Sequence, residues 1–330
     1  MKPLLNISNL NVSFQNESGT VHPVRGVGLQ VNQGETVALV GESGCGKSVT
    51  ALSILRLLPS PPARFDSGSI QFLGKDLLEL SESEMQSLRG NDIGMVFQEP
   101  MTSLNPILTI GDQIAETILL HNNISEKQAK ERVLDILKKV AIPSPDQRIN
   151  QYPHELSGGM KQRVMIAMAI SCNPKLLIAD EPTTALDVTI QSQILELLES
   201  LQKEMGMAIL LITHNLGIVA EYAARVAVMY AGKIVEESKT EPLFENPAHP
   251  YTRGLLNSLP NLANITRLNP IPGTVPDPAQ LPNGCAFQPR CPDALPRCGD
   301  QMPSFLKIDK LKEDRRTACF LHDTVELNPL

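Results

Sequence analysis

Eight consecutive residues, Gly41-Glu42-Ser43-Gly44-Cys45-Gly46-Lys47-Ser48, constrain this chain more than any other stretch. They fit the template G-x-x-x-x-G-K-[ST], in which a loop wraps its backbone N–H groups around a phosphate. Glycine is required because the dihedrals and the close approach leave no room for a Cβ. Lys47 is expected to reach the β- and γ-phosphates, and the Ser48 hydroxyl to ligate Mg²⁺, with Val49 following at the start of a helix. The flanks agree: Thr36-Val37-Ala38-Leu39-Val40 suits a buried strand, and Val49 to Leu55 continues as an apolar-rich helix. Strand, glycine loop and helix together set a helix N-terminus against an anion. The bland alternative is a glycine-rich turn that holds nothing.

A chain of 330 residues, 42% apolar, is long enough for two domains and an ordinary core. Its net charge of −7 argues against nucleic acid as a partner, which calls for a basic face. The opening Met1-Lys2-Pro3-Leu4-Leu5-Asn6 turns polar at once, so no export signal is expected. No apolar run approaches the ~20 residues that span a bilayer, so any membrane role is expected to come through a partner. Six cysteines in such a chain suit reduced thiols or metal ligands better than disulfides.

Residues 4–40 read as short strands, Leu4–Leu10, Val12–Phe14 and Val27–Val31, split by Asn, Gly and Ser. Phe14 could stack on an adenine or simply fill the core. Gly68 to Lys75 reads as a hairpin strand and turn, and Ile93-Gly94-Met95-Val96-Phe97 as a buried strand ending on Gln98. From Ile110 to Val140 the apolar spacing is mainly helical, which predicts a helical insertion closed by Pro143, Pro145 and Pro153. Ser157 is an expected N-cap for a helix from Lys161 to Cys172, with Gly158 and Gly159 leaving N–H groups exposed.

Leu176-Leu177-Ile178-Ala179-Asp180 is a buried parallel strand delivering a carboxylate at its C-terminal end, followed directly by Glu181. Asp180 can hold Mg²⁺, and Glu181 can orient or deprotonate an attacking water. Two solvated carboxylates after a strand would leave the phosphate loop upstream unexplained. Ala185-Leu186-Asp187 then leads into a helix from Val188 to about Glu204, and the strand Ala208–Thr213 ends on His214, placed to point into a ligand crevice.

In this order the pieces resemble the nucleotide-binding subunit of ATP-binding cassette (ABC) transporters, over roughly residues 4–240. The resemblance rests on Phe14, the Walker A loop Gly41–Ser48, Gln98 of the Q-loop, the signature Leu156–Met160, the Walker B strand Leu176–Asp180, Glu181, the D-loop Ala185–Asp187 and the switch His214. Cys45 stands where serine is commoner, Met160 replaces a glutamine and Asn215 an aspartate; none of these removes a group the chemistry needs. The resemblance implies an α/β P-loop NTPase cassette with a helical subdomain at about 100–172, within a nucleotide-binding domain at 1–240. It implies an ATPase with Lys47, Glu181 and His214 as catalytic groups and Ser48, Gln98 and Asp180 around Mg²⁺. Phe14, Gly41 to Val49 and Gln98 would bind ATP in one subunit, and Ser157, Gly158, Gly159 and Asp187 would cover ATP bound to the opposite one.

The segments Phe97 to Pro106, Tyr152-Pro153-His154-Glu155 and His249-Pro250-Tyr251-Thr252 narrow the resemblance to the dipeptide and oligopeptide import ATPases, a group that includes nickel-uptake relatives. That implies a subunit peripheral to the cytoplasmic face of a bacterial inner membrane. Its partners would be two membrane permeases, a second and non-identical ATPase subunit, and a periplasmic solute-binding protein. A soluble ABC ATPase, or an importer of nickel or antimicrobial peptides, is the alternative. A GTPase would need an N-K-x-D motif, which the sequence lacks, and the intact Glu181 and His214 oppose a purely structural subunit.

After residue 240 the composition shifts, with 14 of the 26 prolines in the last 90 residues, and short irregular structure is expected rather than another sheet. Cys285, Cys291, Cys298 and Cys319 follow at intervals without a C-x-x-C pair. Four thiolates suit an iron–sulfur cluster or a Cys₄ zinc site, and free or disulfide-bonded cysteines stay open. In the peptide-import ATPases this region, centred on Pro289-Arg290-Cys291-Pro292, is associated with a [4Fe-4S] cluster, and the resemblance carries that group onto these four residues. The extension at 241–330 would be small, irregular and held by it.

Overall fold

The loop-bearing strand sits at the middle of a sheet, flanked on both sides. The computed structural model describes residues 2–16, 19–99, 103–184, 186–259, 270–308 and 315–322. Its strands are β1 (Leu5–Asn16), β2 (Gly19–Val31), β3 (Thr36–Val40), β4 (Ala63–Phe72), β5 (Lys75–Asp76), β6 (Ile93–Val96), β7 (Leu176–Asp180), β8 (Ala208–Thr213), β9 (Arg225–Tyr230), β10 (Lys233–Lys239), β11 (Leu306–Lys307) and β12 (Arg316–Thr317). The larger sheet runs β11-β12-β10-β9-β3-β8-β7-β6. Within it β9, β3, β8, β7 and β6 are parallel neighbours. Every residue of β7 and β8 is buried, as expected of strands covered on both faces, which therefore read as unbroken apolar runs.

The smaller, antiparallel sheet has the order β2-β1-β4-β5. Here the expected short strands are corrected: β1 and β2 are 12 and 13 residues long, and the polar residues that suggested breaks lie at register shifts within continuous strands. Asn9 takes a positive φ of 49° there, a bulge rather than a strand end. The hairpin expected near Gly74 forms between β4 and β5, with Leu73 and Gly74 both at positive φ.

The insertion is helical as expected, with helices Ile110–His121, Glu126–Lys139, Pro145–Arg148 and Gly158–Ile170. Ser125 and Gln128 form a reciprocal capping box, and Thr109 and Ser157 cap their helices through their hydroxyls. Ile114, Ile118, Val133, Leu137, Val164 and Ile166 pack into one core with β7 and β8 residues. Helix Gly158–Ile170 lies against β6 so closely that a Cβ on Gly94 would sit 2.2 Å from the Ala169 carbonyl oxygen.

The segment after residue 240 is more integrated than its composition suggests. It contributes helices Thr240–Glu245 and Pro250–Asn257, and β12 pairs antiparallel with β10 to extend the main sheet. Leu243, Tyr251, Ala286 and Phe287 share a core with Val40, Val228 and Tyr230. Glu236 and Arg315, 0% and 1% exposed, form an ion pair at 2.7 Å. Glu236 also accepts the backbone N–H groups of Ala248 and His249, so one buried carboxylate ties two parts of the tail to the sheet. The Ala185 of the D-loop, and Pro100, Met101 and Thr102, lie outside the described residues.

Candidate functional site

The C-terminal ends of β3 and β7 point into one cleft of about 160 Å³, lined by Pro23, Ser43, Gly44, Gly46, Lys47, Ser48, Val49, Gln98 and Glu181. Gly46, at φ 109°, caps helix Lys47–Ile54, and a Cβ there would come 2.2 Å from the Pro23 carbonyl oxygen. The loop therefore turns where only glycine fits, against a wall the opening hairpin supplies. Lys47 is 6% exposed, and its ammonium donates to the carbonyls of Gly41 at 2.8 Å and Glu42 at 3.0 Å. The thiol of Cys45 lies 3.8 Å from the same ammonium. Burial pushes that thiol's pKa up, so it remains a neutral packing group.

Asp180 ends β7, 4% exposed, and its Oδ1 has no hydrogen-bond partner. Burial raises its pKa, while a hydrogen bond from Ser48 pulls the other way. A buried carboxylate oxygen without a partner, beside a hydroxyl, has the donor set of a hard cation site. Ser48 and Asp180 thus fit Mg²⁺ as residues.

Glu181 follows in a left-handed conformation, φ 47°, with its N–H donating to the Ile212 carbonyl oxygen at 2.8 Å. That turn aims its carboxylate away from β7. Three groups meet it: Gln98 Nε2 at 3.2 Å, Thr184 Oγ1 at 2.8 Å and His214 Nδ1 at 3.0 Å. Partial burial works to raise its pKa, but the hydrogen bonds from His214 and Thr184 outweigh it, and the carboxyl is held below its ordinary value. Gln98, Glu181 and His214, expected from three separate strand ends, are therefore one hydrogen-bonded group.

Phe14, on β1, is half-buried and packs against the core of the first sheet. Ser157, Gly158 and Asp187 are exposed, Gly159 half-buried, and Val188 beside Asp187 is 79% exposed. The cleft lining includes none of Leu156–Met160, so a single chain leaves that helix start facing outward.

Four contributors escaped sequence reasoning. Pro23 forms a wall of the cleft, and Thr184 holds Glu181. Tyr251 and Arg290, from the tail, bind Glu42: its N–H donates to Tyr251 Oη at 2.9 Å, and Arg290 grips its carboxylate at 2.7 and 3.0 Å. The signal available was that both fall in the segments His249–Thr252 and Pro289–Pro292 already marked by the narrower resemblance.

Cys285, Cys291, Cys298 and Cys319 are free thiols that line one small cavity with His249, Phe287, Leu295 and Phe320. Burial and its neighbouring thiols push Cys319 up to about 11. Among the described residues, however, no three His, Cys, Asp or Glu side chains are gathered as around a bound metal ion. The expected cluster site is here a shared cavity and no more.

Residues 24–184 match the ABC transporter family. Residues 235–298 match the oligopeptide/dipeptide transporter C-terminal region. A putative peptide import ATP-binding protein of Brucella ovis is 54% identical over 94% of this chain and 95% of its own length.

The chain belongs to the ABC transporter family.

Another member, the oligopeptide transport ATP-binding protein AppD of Bacillus subtilis, is 51% identical over 98% of each chain. Among solved ABC structures, the cassette MJ0796, a dimer in a post-hydrolysis state bound to ADP and Pi, matches with a TM-score of 0.64 and 27% identity. That likeness covers 72% of this chain and 98% of that one. The chain is thus an ABC ATP-binding cassette, an ATPase on an α/β P-loop fold, with a peptide-transporter C-terminal region. Among the described residues no helix is long and apolar enough to cross a membrane.

Proposed function

We propose that this chain hydrolyses ATP to drive a bacterial importer of dipeptides or short oligopeptides, from the cytoplasmic face of the inner membrane. The observation that carries the ATPase half is the unpartnered, buried Oδ1 of Asp180, whose carboxylate is hydrogen-bonded by Ser48 of a cleft that also holds Lys47 and Glu181. The match at residues 235–298 carries the peptide half. In this reading the cassette occupies residues 1–240, with its helical subdomain at about 100–172, and the extension 241–330.

Lys47 and the N–H groups of Ser43 to Ser48 neutralise charge on the terminal phosphates. Bound Mg²⁺, held by Ser48, Asp180 and Gln98, would withdraw further charge from the γ-phosphate. Glu181, kept ionised, takes a proton from the attacking water, and His214 orients that carboxylate and faces the γ-phosphate. Gln98 connects this group to the helical insertion. Ser157, Gly158, Gly159 and Asp187 cover the nucleotide of a second ATPase subunit, which suits their outward placement and the exposed Val188. The permeases meet the helical insertion, where Leu119 and Leu120, 37% and 76% exposed, border an open groove of about 730 Å³. A periplasmic binding protein delivers the peptide to those permeases.

The four free thiols around one cavity support a second reading, a structural [4Fe-4S] cluster on Cys285, Cys291, Cys298 and Cys319. Stoichiometric iron and acid-labile sulfide in anaerobically purified protein bear it out; zinc alone, or no metal, refutes it.

The main reading is tested by assembling the chain with candidate permeases and a second ATPase subunit and measuring peptide uptake into vesicles. ATP-dependent uptake that is lost in Lys47→Ala is expected. Turnover of MgATP with no association to any permease would leave a soluble ATPase instead.

A further inference from the structure

Glu42 is a carboxylate inside a loop built to hold phosphate, and it takes part in five hydrogen bonds, one of them a turn bond from Cys45 N–H. Its carboxylate takes both arms of Arg290 in a fork, at 2.7 and 3.0 Å. Its N–H donates to Tyr251 Oη at 2.9 Å, while its carbonyl accepts from Lys47 Nζ at 3.0 Å. One residue is therefore gripped from both sides, by the phosphate-binding lysine and by two residues more than 200 positions along the chain.

Those two residues are themselves fixed. Arg290 has a side chain 5% exposed, donates through Nε to the Pro272 carbonyl oxygen at 2.9 Å and lies about 6 Å from the rings of Tyr230 and Phe287. Tyr251 is fully buried, with ring centroids of Tyr230 and Phe287 at 4.6 and 5.4 Å. A buried guanidinium with a planar fork and an aromatic bed is a rigid support, which a lysine could not reproduce. Without it, Glu42 would carry an uncompensated negative charge within the phosphate loop, and the loop would lose the anchor on its second residue.

We propose that Arg290 and Tyr251 are positioning residues of the nucleotide site, through which the C-terminal segment sets the phosphate loop and cancels the charge of Glu42. This rests on the reading of that loop as the ATP site, and it adds a role for the tail that neither matched region describes. Neither residue lines the cleft; both act through Glu42.

The test measures binding of MgATP and of adenosine to the full-length chain by titration calorimetry, alongside thermal unfolding. Wild type must retain MgATP, and if it does not, the ATP-site reading itself fails. Given that, Arg290→Met is expected to weaken MgATP about tenfold, and adenosine less than twofold, because the charge acts on phosphates. Adding Glu42→Gln to Arg290→Met should recover most of that loss, which a merely structural arginine would not allow. Arg290→Lys should fall between, and Tyr251→Phe should cost a few-fold while folding normally. Equal MgATP affinity in wild type, Arg290→Lys and Tyr251→Phe, or no recovery on neutralising Glu42, overturns the proposal. Should Arg290→Met fail to fold, Tyr251→Phe and Arg290→Lys decide it alone.

Discussion

Arg290 and Cys291 are neighbours in the chain that serve two unlike places. Arg290 turns to Glu42 and the phosphate cleft, while Cys291 faces the cavity shared by four thiols. The cleft is polar, partly open and strained: Glu181 at φ 47° and Asp180 with an unpaired buried oxygen are costly arrangements held in place by their surroundings. The cavity is small and mostly apolar, walled by Phe287, Leu295 and Phe320, with its cysteines reduced. One place stores cost where chemistry is to be done; the other belongs to packing. Substitutions in the first should therefore change turnover and spare stability, and those in the second the reverse.

The largest separation is expected from Glu181→Gln. Loss of a general base costs about 10²–10⁴-fold in turnover, with MgATP binding and unfolding midpoint unchanged; near-normal turnover would break the contrast. On the tail side, Arg315→Met leaves the fully buried Glu236 without its ion partner, and a loss of about 3–5 kcal/mol in urea unfolding is expected. Pairing it with Glu236→Gln should return part of that loss, because the penalty comes from the unpaired charge.

Smaller effects sharpen the same line. Thr184→Val removes one of three hydrogen bonds to Glu181, worth about 1 kcal/mol, so roughly fivefold slower turnover is expected at neutral pH. Its acid limb should also move up, since that bond helps hold the carboxyl below its ordinary value; an unmoved pH profile would mean Thr184 is idle. Smallest is Cys298→Ser, expected to leave MgATP affinity and turnover within twofold while altering any metal content of the purified chain.

The two places also differ in how far the sequence discloses them. Gly41–Ser48 and Leu176–Glu181 are continuous, because a phosphate cradle and a strand-end carboxylate demand specific residues side by side, and both were readable before any coordinates. The helix start at Ser157 was equally local. Tyr251 and Arg290 meet Glu42 across 209 and 248 positions, and no periodicity or spacing pairs residues that distant. The breaks read into residues 4–31 failed for another reason: Asn9, Asn11 and Ser13 within β1 sit at register shifts, where a strand bends without ending. Proline content likewise misled about the tail, whose Thr317 and Arg316 join the main sheet through partners on β10.

The contact between Gly94 and Ala169 has a mechanical side. Helix Gly158–Ile170 meets β6 near its last turn, where nothing larger than hydrogen separates the two, and its opposite end carries Ser157. Thirteen residues make a lever about 20 Å long, so a tilt of roughly 5° at the fulcrum carries the tip about 2 Å, more than enough to make or lose a hydrogen bond. Gln98 follows the same strand only four positions beyond Gly94, which seats a glutamine of the cleft and the fulcrum of that lever on one short piece of backbone.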